Sequence, residues 1–230
     1  MGFFTRLFKV FTPPPPVTQL PLEVIDKEYK KHRKLVFAGI FAGYGAAYLI
    51  RKNFSLAMPY LVQQGFSKGQ LGLALTALAI AYGFSKFLMG NVSDRSNPKY
   101  FLAAGLIVSS LVAFTFGFAD WAYSSVAMMF VLMFINGWAQ GMCYGPCSRV
   151  LAHWYSVKER GIVMSVWNIA HNLGGGLIGI LAILGMWLFG DWHSLFYFPA
   201  MIVALFTIMV LITVRDTPQS VGLPSIEDYH

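Results

Sequence analysis

The sequence predicts an all-α, polytopic membrane protein built from six transmembrane helices, and three observations carry that prediction. Hydrophobic residues make up 57% of the 230-residue chain and charged residues only 12%, about half the charged share of a soluble domain. The apolar residues fall in six long runs, near 35–62, 70–92, 100–119, 124–150, 161–189 and 194–214. Each reaches the ~20 residues that a helix needs to cross ~30 Å of hydrocarbon. Between the runs lie short connectors, "QQGFSKG", "SDRSNPK", "DWAYS", "SVKER" and "GDWHS". Helices satisfy their backbone hydrogen bonds internally, as a bilayer demands, and the ~10-residue alternating segments of a β-barrel are not visible.

Residues 1–34 are expected to form a cytoplasmic N-terminal segment. Its start, "MGFFTRLFKVF", interrupts an apolar run with two basic residues, and "TPPPP" follows with no small-residue cleavage site. It therefore reads as an amphipathic anchor or a disordered leader and not as a cleavable signal. The six-helix half-bundle is expected over 35–214. The polar stretch 215–230, "RDTPQSVGLPSIEDYH", leaves the membrane as a cytoplasmic tail or linker.

Charge placement sets the orientation. Thirteen of the 17 basic residues flank one side of the spans, while Lys68 stands alone on the other. The positive-inside rule then places both termini in the cytoplasm. The net charge of +7 reports that topology, and nucleic acid is not an expected partner. Cys143 and Cys147, four residues apart, read as buried thiols of a packed helix, and the five histidines are too scattered for a metal site; no cofactor and no metal are expected. The Asn-x-Ser matches at Asn53 and Asn91 fall in a span and at its end and read as chance.

Three basic residues remain inside the spans: Arg51, Lys52 and Lys86. No span interior holds an acid, because Asp94, Asp120, Glu159, Asp191 and Asp216 sit at span ends and the other carboxylates lie in the terminal segments. Arg51 is expected ~24 Å along the first helix, near mid-membrane. An arginine there costs ~2.5–3.5 kcal/mol by insertion scales, so water, a partner or a ligand must offset it. The alternative, that Arg51 and Lys52 mark the outer end of a shorter span, leaves only 16 apolar residues before them.

Helical spacing gathers polar groups into stripes. Tyr44, Tyr48 and Arg51 follow i, i+4, i+7; Tyr82 and Lys86 follow i, i+4; Trp167 and His171 do likewise, with Asn168 beside them. Taken singly, each Tyr or Trp reads as packing or interface belt. Together they form a polar lining for an anion. The guanidinium fork suits phosphate or carboxylate, lysine adds a point charge, and an imidazole can donate to a further oxygen. These residues alone reach a membrane pathway for a small anion. No nucleophile–base pair or phosphate loop points to an enzyme. Small residues at four-residue spacing, Gly39/Gly43, Gly137/Gly141/Gly145 and Gly175/Gly179, permit close helix approach. Pro59, Pro146 and the run Gly174–Gly176 are expected bends.

The loop "GNVSDRSNPK" carries Gly90, Asp94 and Arg95 and resembles the signature between spans two and three of the major facilitator superfamily, with Asn97 where a glycine is usual. The stretches "YLIRKNFSLAMPYLVQQGFSKGQLG", "IAYGFSKFLMGNVSDRSNPKYF", "SVWNIAHNLGGG", "DWHSLFYFPA" and "RDTPQSVGLPSIEDY" are similar to the organophosphate:phosphate antiporters of that superfamily, most of all to members that carry glycerol-3-phosphate. The similarity runs from about Arg33 onward. It implies one half, a three-plus-three repeat, of a twelve-span fold in the inner (cytoplasmic) membrane, with a second six-helix half as partner. The implied activity is exchange of glycerol-3-phosphate for inorganic phosphate by alternating access. Hexose-phosphate exchange and a non-translocating phosphate-ester sensor are the implied alternatives. By this resemblance Arg51 holds the phosphoryl group, Lys52, Tyr44, Tyr48, Tyr82, Lys86, Trp167, Asn168 and His171 line the pore, and Gly90, Asp94 and Arg95 govern conformational change. The glycerol-phosphate relatives tend to carry Trp where this chain has Tyr144.

Overall fold

A computed structural model describes residues 11–229, and every long apolar run is helical in it. α1 (Leu22–Leu49) and α2 (Asn53–Gln63) make the first span, with a break between them. α3 (Lys68–Asp94) is the second span and α4 (Pro98–Phe118) the third. α5 (Val126–Gly141) and α6 (Tyr144–Trp154) make the fourth, again broken, followed by α7 (Val157–Phe189) and α8 (Ser194–Thr213). A short helix, α9 (Ile226–Tyr229), ends the described chain.

Length and composition qualify five stretches as membrane spans: Lys68–Asp94, Pro98–Phe118, Val126–Trp154, Val157–Phe189 and Ser194–Thr213. The first span differs because its break at Ile50–Lys52 divides its apolar length. α1 also starts at Leu22, well before the expected span start at 35, so residues 22–34 continue the helix as a charged extension. Residues 1–10, with the expected amphipathic start, lie outside the described residues.

Local sequence explains the helix ends. Ser67 Oγ accepts from Gln70 N at 3.2 Å while Gln70 Oε1 accepts from Ser67 N at 2.9 Å, a reciprocal cap that starts α3. Asn97 caps α4, and Pro98 at its first position lacks only an N–H that would have no helical partner. Asn97 therefore has a capping role where the superfamily's glycine is usual. Gly190, at φ 67°, ends α7 in the left-handed conformation.

The five most extensive interfaces join spans two and four, three and six, one and five, one and six, and three and four. Exchanging the first three spans for the last three maps this set onto itself, as an internal three-plus-three repeat requires. Small residues make the second–fourth interface possible: a Cβ at Gly137 would lie 2.3 Å from the Leu78 carbonyl oxygen, and one at Gly141 2.6 Å from Ser85. The outer surfaces stay apolar, with Phe84, Phe87, Leu111, Ile183 and Leu205 exposed.

Two expectations about bends change. α7 runs unbroken through Gly174–Gly176. A Cβ at Gly174 would stand 2.1 Å from the Gly45 carbonyl oxygen, while Gly175, Gly176 and Gly179 face open space. Gly174 thus serves close packing against α1, and the expected Gly175/Gly179 contact is replaced by Gly45 and Gly174. Pro59 lies inside α2, whereas Pro146 sits in the first turn of α6, just past the second break.

The tail folds back on the basic end of the bundle. Val17 N donates to Gln219 O at 3.0 Å and Leu20 N to Gly222 O at 2.8 Å. Leu223 and Ile226 are buried, and the Tyr29 and Tyr229 rings stack at 4.0 Å. Burial pushes the Tyr29 hydroxyl pKa up. Beside this, Arg149 grips Asp216 with two bonds of 2.9 and 3.0 Å and also donates to the Asp94 carbonyl. One guanidinium thereby ties spans two, four and six together.

Candidate functional site

Midway along the bundle, four spans contribute to one cluster of rings and cations. α1 supplies Tyr44 and Tyr48 from one face, as i, i+4 neighbours must be. Their rings lie 5.4 Å apart and their hydroxyls 3.4 Å apart. α7 supplies Trp167, whose ring stacks on Tyr44 at 4.5 Å and whose Nε1 donates to the Ile40 carbonyl at 3.2 Å. One turn later His171 stands 5.4 Å from Tyr48 and 6.2 Å from Tyr44. Its Nδ1 is buried and has no hydrogen-bond partner among the described residues.

The cations sit over aromatic faces. Arg51, in the break after α1, holds its guanidinium carbon 4.0 Å from the Tyr82 ring centre and 5.3 Å from that of Tyr48. Lys86 places its ammonium 4.3 Å from the Tyr144 ring and 5.8 Å from that of Tyr82. Tyr144 in turn lies 5.6 Å from Trp167, which closes the cluster. Among the described residues no carboxylate pairs with Arg51 or Lys86.

Magnitudes show what this arrangement can do. Each cation–π contact offers ~0.5–2 kcal/mol, so the two at Arg51 offset much of the ~2.5–3.5 kcal/mol that a mid-membrane arginine costs, but neither ring carries a negative charge to neutralise it. An anion 4 Å from the guanidinium gains ~4 kcal/mol at an effective dielectric of ~20. The rings hold the cations without neutralising them. The cluster is thus cationic, with no carboxylate paired to Arg51 or Lys86 among the described residues.

Seven of the nine expected lining residues come together here: Arg51, Tyr44, Tyr48, Tyr82, Lys86, Trp167 and His171. Lys52 and Asn168 do not, and both are exposed. Lys52 is the residue before α2 and makes none of the ring contacts described among these residues. Asn168 lies one residue off its stripe, about 100° around the helix, and Lys52 falls in the break, outside both helices. Gly90 lies near Gly145, where an added Cβ would be 3.8 Å from the Gly90 Cα. Asp94 and Arg95 have exposed side chains, and Asp94 acts through its carbonyl as the acceptor for Arg149.

The sequence reading missed a polar chain beneath the cluster. Ser109 Oγ donates to Asn136 Oδ1 at 2.5 Å, and Gln140 Nε2 donates to the same oxygen at 3.3 Å and to the Ile50 carbonyl at 3.4 Å. Its signal was present: Asn136 and Gln140 are the amide side chains of an otherwise apolar run, "FINGWAQG". Asn53, read as a chance glycosylation match, is buried and donates to the Leu195 carbonyl at 2.5 Å. Arg149 and Asp216 were read only as flanking charges.

Comparison with known proteins agrees with the fold. A protein described as "Glycerol-3-phosphate transporter" from Bacillus subtilis (strain 168) is 53% identical over 97% of this chain and 50% of its own length. A "Probable hexose phosphate transport protein" from Chlamydia muridarum (strain MoPn / Nigg) is 43% identical over 96% of this chain and 48% of its own length. The chain thus spans about half the length of the curated relatives it matches. The crystal structure of a bacterial homologue of the human lysosomal transporter Spinster, inward-facing and occupied, superposes with a TM-score of 0.69 at 19% identity, over 81% of this chain and 45% of that one; at that identity the likeness shows the fold alone. The family model for the Major Facilitator Superfamily matches residues 40–228. With its helical architecture, its internal repeat and these relatives, the chain belongs to the Major Facilitator Superfamily, a family of transporters.

Proposed function

We propose that this chain is the amino-terminal half of a secondary transporter that exchanges glycerol-3-phosphate for inorganic phosphate by alternating access, both termini facing the cytoplasm of the inner membrane. One observation carries the reading: Arg51, 4.0 Å from the Tyr82 ring and without a carboxylate partner among the described residues, stands in a cluster with Lys86 and His171. Arg51 grips the phosphoryl group through its two-pronged donor face. Lys86 adds charge, His171 donates to a further oxygen, and Tyr44, Tyr48 and Tyr82 offer hydroxyls. A second six-helix half supplies the opposite wall, and closure of the halves around the bound anion drives the exposure of the site to alternate sides. The relatives that carry glycerol-3-phosphate or hexose phosphate in their descriptions support a phosphate ester as cargo.

Tyr144 favours a second cargo. Its ring stacks on the Lys86 ammonium, and a phenol in that place offers a hydroxyl that a tryptophan lacks, suited to a polyhydroxylated hexose phosphate. Competition between glycerol-3-phosphate and glucose-6-phosphate for uptake separates the two.

The main test uses phosphate-loaded liposomes containing the two-half transporter. Glycerol-3-phosphate should enter in exchange for phosphate, and Arg51→Lys should cut uptake at least ~tenfold with unchanged membrane insertion. Undiminished exchange in that variant removes Arg51 as the clamp. This chain reconstituted alone should show no exchange.

A further inference from the structure

The break in the first span leaves carbonyl groups without helical partners. Hydrocarbon offers such groups no substitute partner. Part of this need is met locally, since Arg51 N donates to the Tyr48 carbonyl at 3.4 Å and Leu56 N to the Lys52 carbonyl at 3.2 Å. The Ile50 carbonyl is met from another span, by Gln140 Nε2 at 3.4 Å. Gln140 is 3% exposed, and its Oε1 accepts nothing among the described residues.

That orphaned oxygen is informative. Leaving a buried acceptor unsatisfied is destabilising, and a methionine of similar length would fill the same space without it. Packing alone therefore does not favour glutamine. Turning the amide over would aim its oxygen at the Ile50 and Asn136 oxygens, so the N–H₂ group must face the break. Asn136 Oδ1 accepts from both Gln140 and Ser109, which fixes the amide from behind.

We propose that Gln140 is a positioning residue: through the Ile50 carbonyl it holds the turn that carries Arg51 between the Tyr48 and Tyr82 rings. The role rests on the reading of Arg51 as the phosphate clamp, and it adds a control on where that clamp stands. Spans three and four thereby set the geometry of a cation that belongs to span one.

The test uses the two-half transporter in lipid nanodiscs and the variant Gln140→Met. Backbone hydrogen exchange across residues 50–56 should become about tenfold faster, while exchange at the second break, 142–146, stays within about twofold. Binding of inorganic phosphate, read by titration calorimetry, should weaken about tenfold. Unchanged exchange at 50–56 overturns the proposal, as does faster exchange with unaltered phosphate affinity. Should the unmodified two-half transporter bind no phosphate, the anion-site reading falls, and the exchange contrast alone decides whether Gln140 holds the turn. If Gln140→Met does not fold, Ser109→Ala releases the far end of the relay; about threefold faster exchange at 50–56 supports the proposal and none overturns it.

Discussion

The molecule contains two broken spans, and they differ in one respect that matters. In the fourth span the break at Met142–Cys143 is closed by its own backbone: Met142 N donates to Ala139 O and Cys143 N to Gln140 O, each at 3.2 Å. Two buried thiols complete it, Cys147 Sγ reaching the Cys143 carbonyl at 3.2 Å. In the first span the break at Ile50–Lys52 carries two cations and borrows a donor from another span. The two spans are counterparts in the internal repeat, so the break itself is architecture. On the proposed reading, what makes one of them a site is Arg51, which pairs with no carboxylate among the described residues.

The largest expected effect separates the two breaks. Arg51→Ala should lower phosphate-ester uptake by about a thousandfold, which is ~4 kcal/mol, matching the ~4 kcal/mol expected for one close charge pair. Cys143→Ala, at the other break, should leave uptake within about twofold. Equal losses from both would mean that backbone geometry, and not charge, makes the site.

A second contrast sets the membrane-buried cation against the one at the basic end. Arg149 faces Asp216, whose side chain is 1% exposed. Arg149→Ala strands that carboxylate and should cost ~3–5 kcal/mol of stability. Arg149→Ala with Asp216→Ala should recover part of it in thermal unfolding. Arg51→Ala should cost less, about 1 kcal/mol or below, because it gives up ring contacts but strands no carboxylate among the described residues. Comparable melting losses in the two single variants would contradict that distinction.

Smaller effects come from the glycine run. Gly174→Ala forces a Cβ against the Gly45 carbonyl and should destabilise by ~1–3 kcal/mol. Gly175→Ala meets open space and should be neutral or stabilising by up to ~1 kcal/mol. The smallest effect concerns His32, in the helical extension, where burial beside Trp154 lowers its pKa against a weaker opposing pull from Glu28. The folded chain resists protonating His32, so stability is full above the unfolded histidine pKa of ~6.5 and declines as pH falls below it. The melting temperature should drop by on the order of a degree between pH 7 and pH 5, and His32→Gln should flatten that change.

The sequence disclosed the spans because apolar length against bilayer thickness depends on no other part of the chain. It disclosed the stripes of Tyr44/Tyr48, Tyr82/Lys86 and Trp167/His171 for a similar reason: helical period is local. Lys52 and Asn168 were placed by adjacency; one residue is enough to turn Asn168 out of its stripe, and Lys52 falls in the break. Bends were expected at Pro59, Pro146 and Gly174–Gly176; the breaks occur at Ile50–Lys52 and at Met142–Cys143, the second just before Pro146. Nothing in "YLIRKNF" has poor helix propensity; part of what holds the first break lies 90 residues away, at Gln140. The docked tail was illegible for the same reason, since Tyr29 and Pro224 meet across 195 residues.

The most direct measurement is the distance from bound phosphate to the Arg51 guanidinium, by ³¹P–¹⁵N dipolar recoupling in solid-state NMR of the transporter in bilayers. Contact at about 4 Å, assigned to Arg51 and lost in Arg51→Lys, is the predicted result. Phosphorus coupling to an arginine at the basic end, such as Arg95, with none to Arg51, would contradict it.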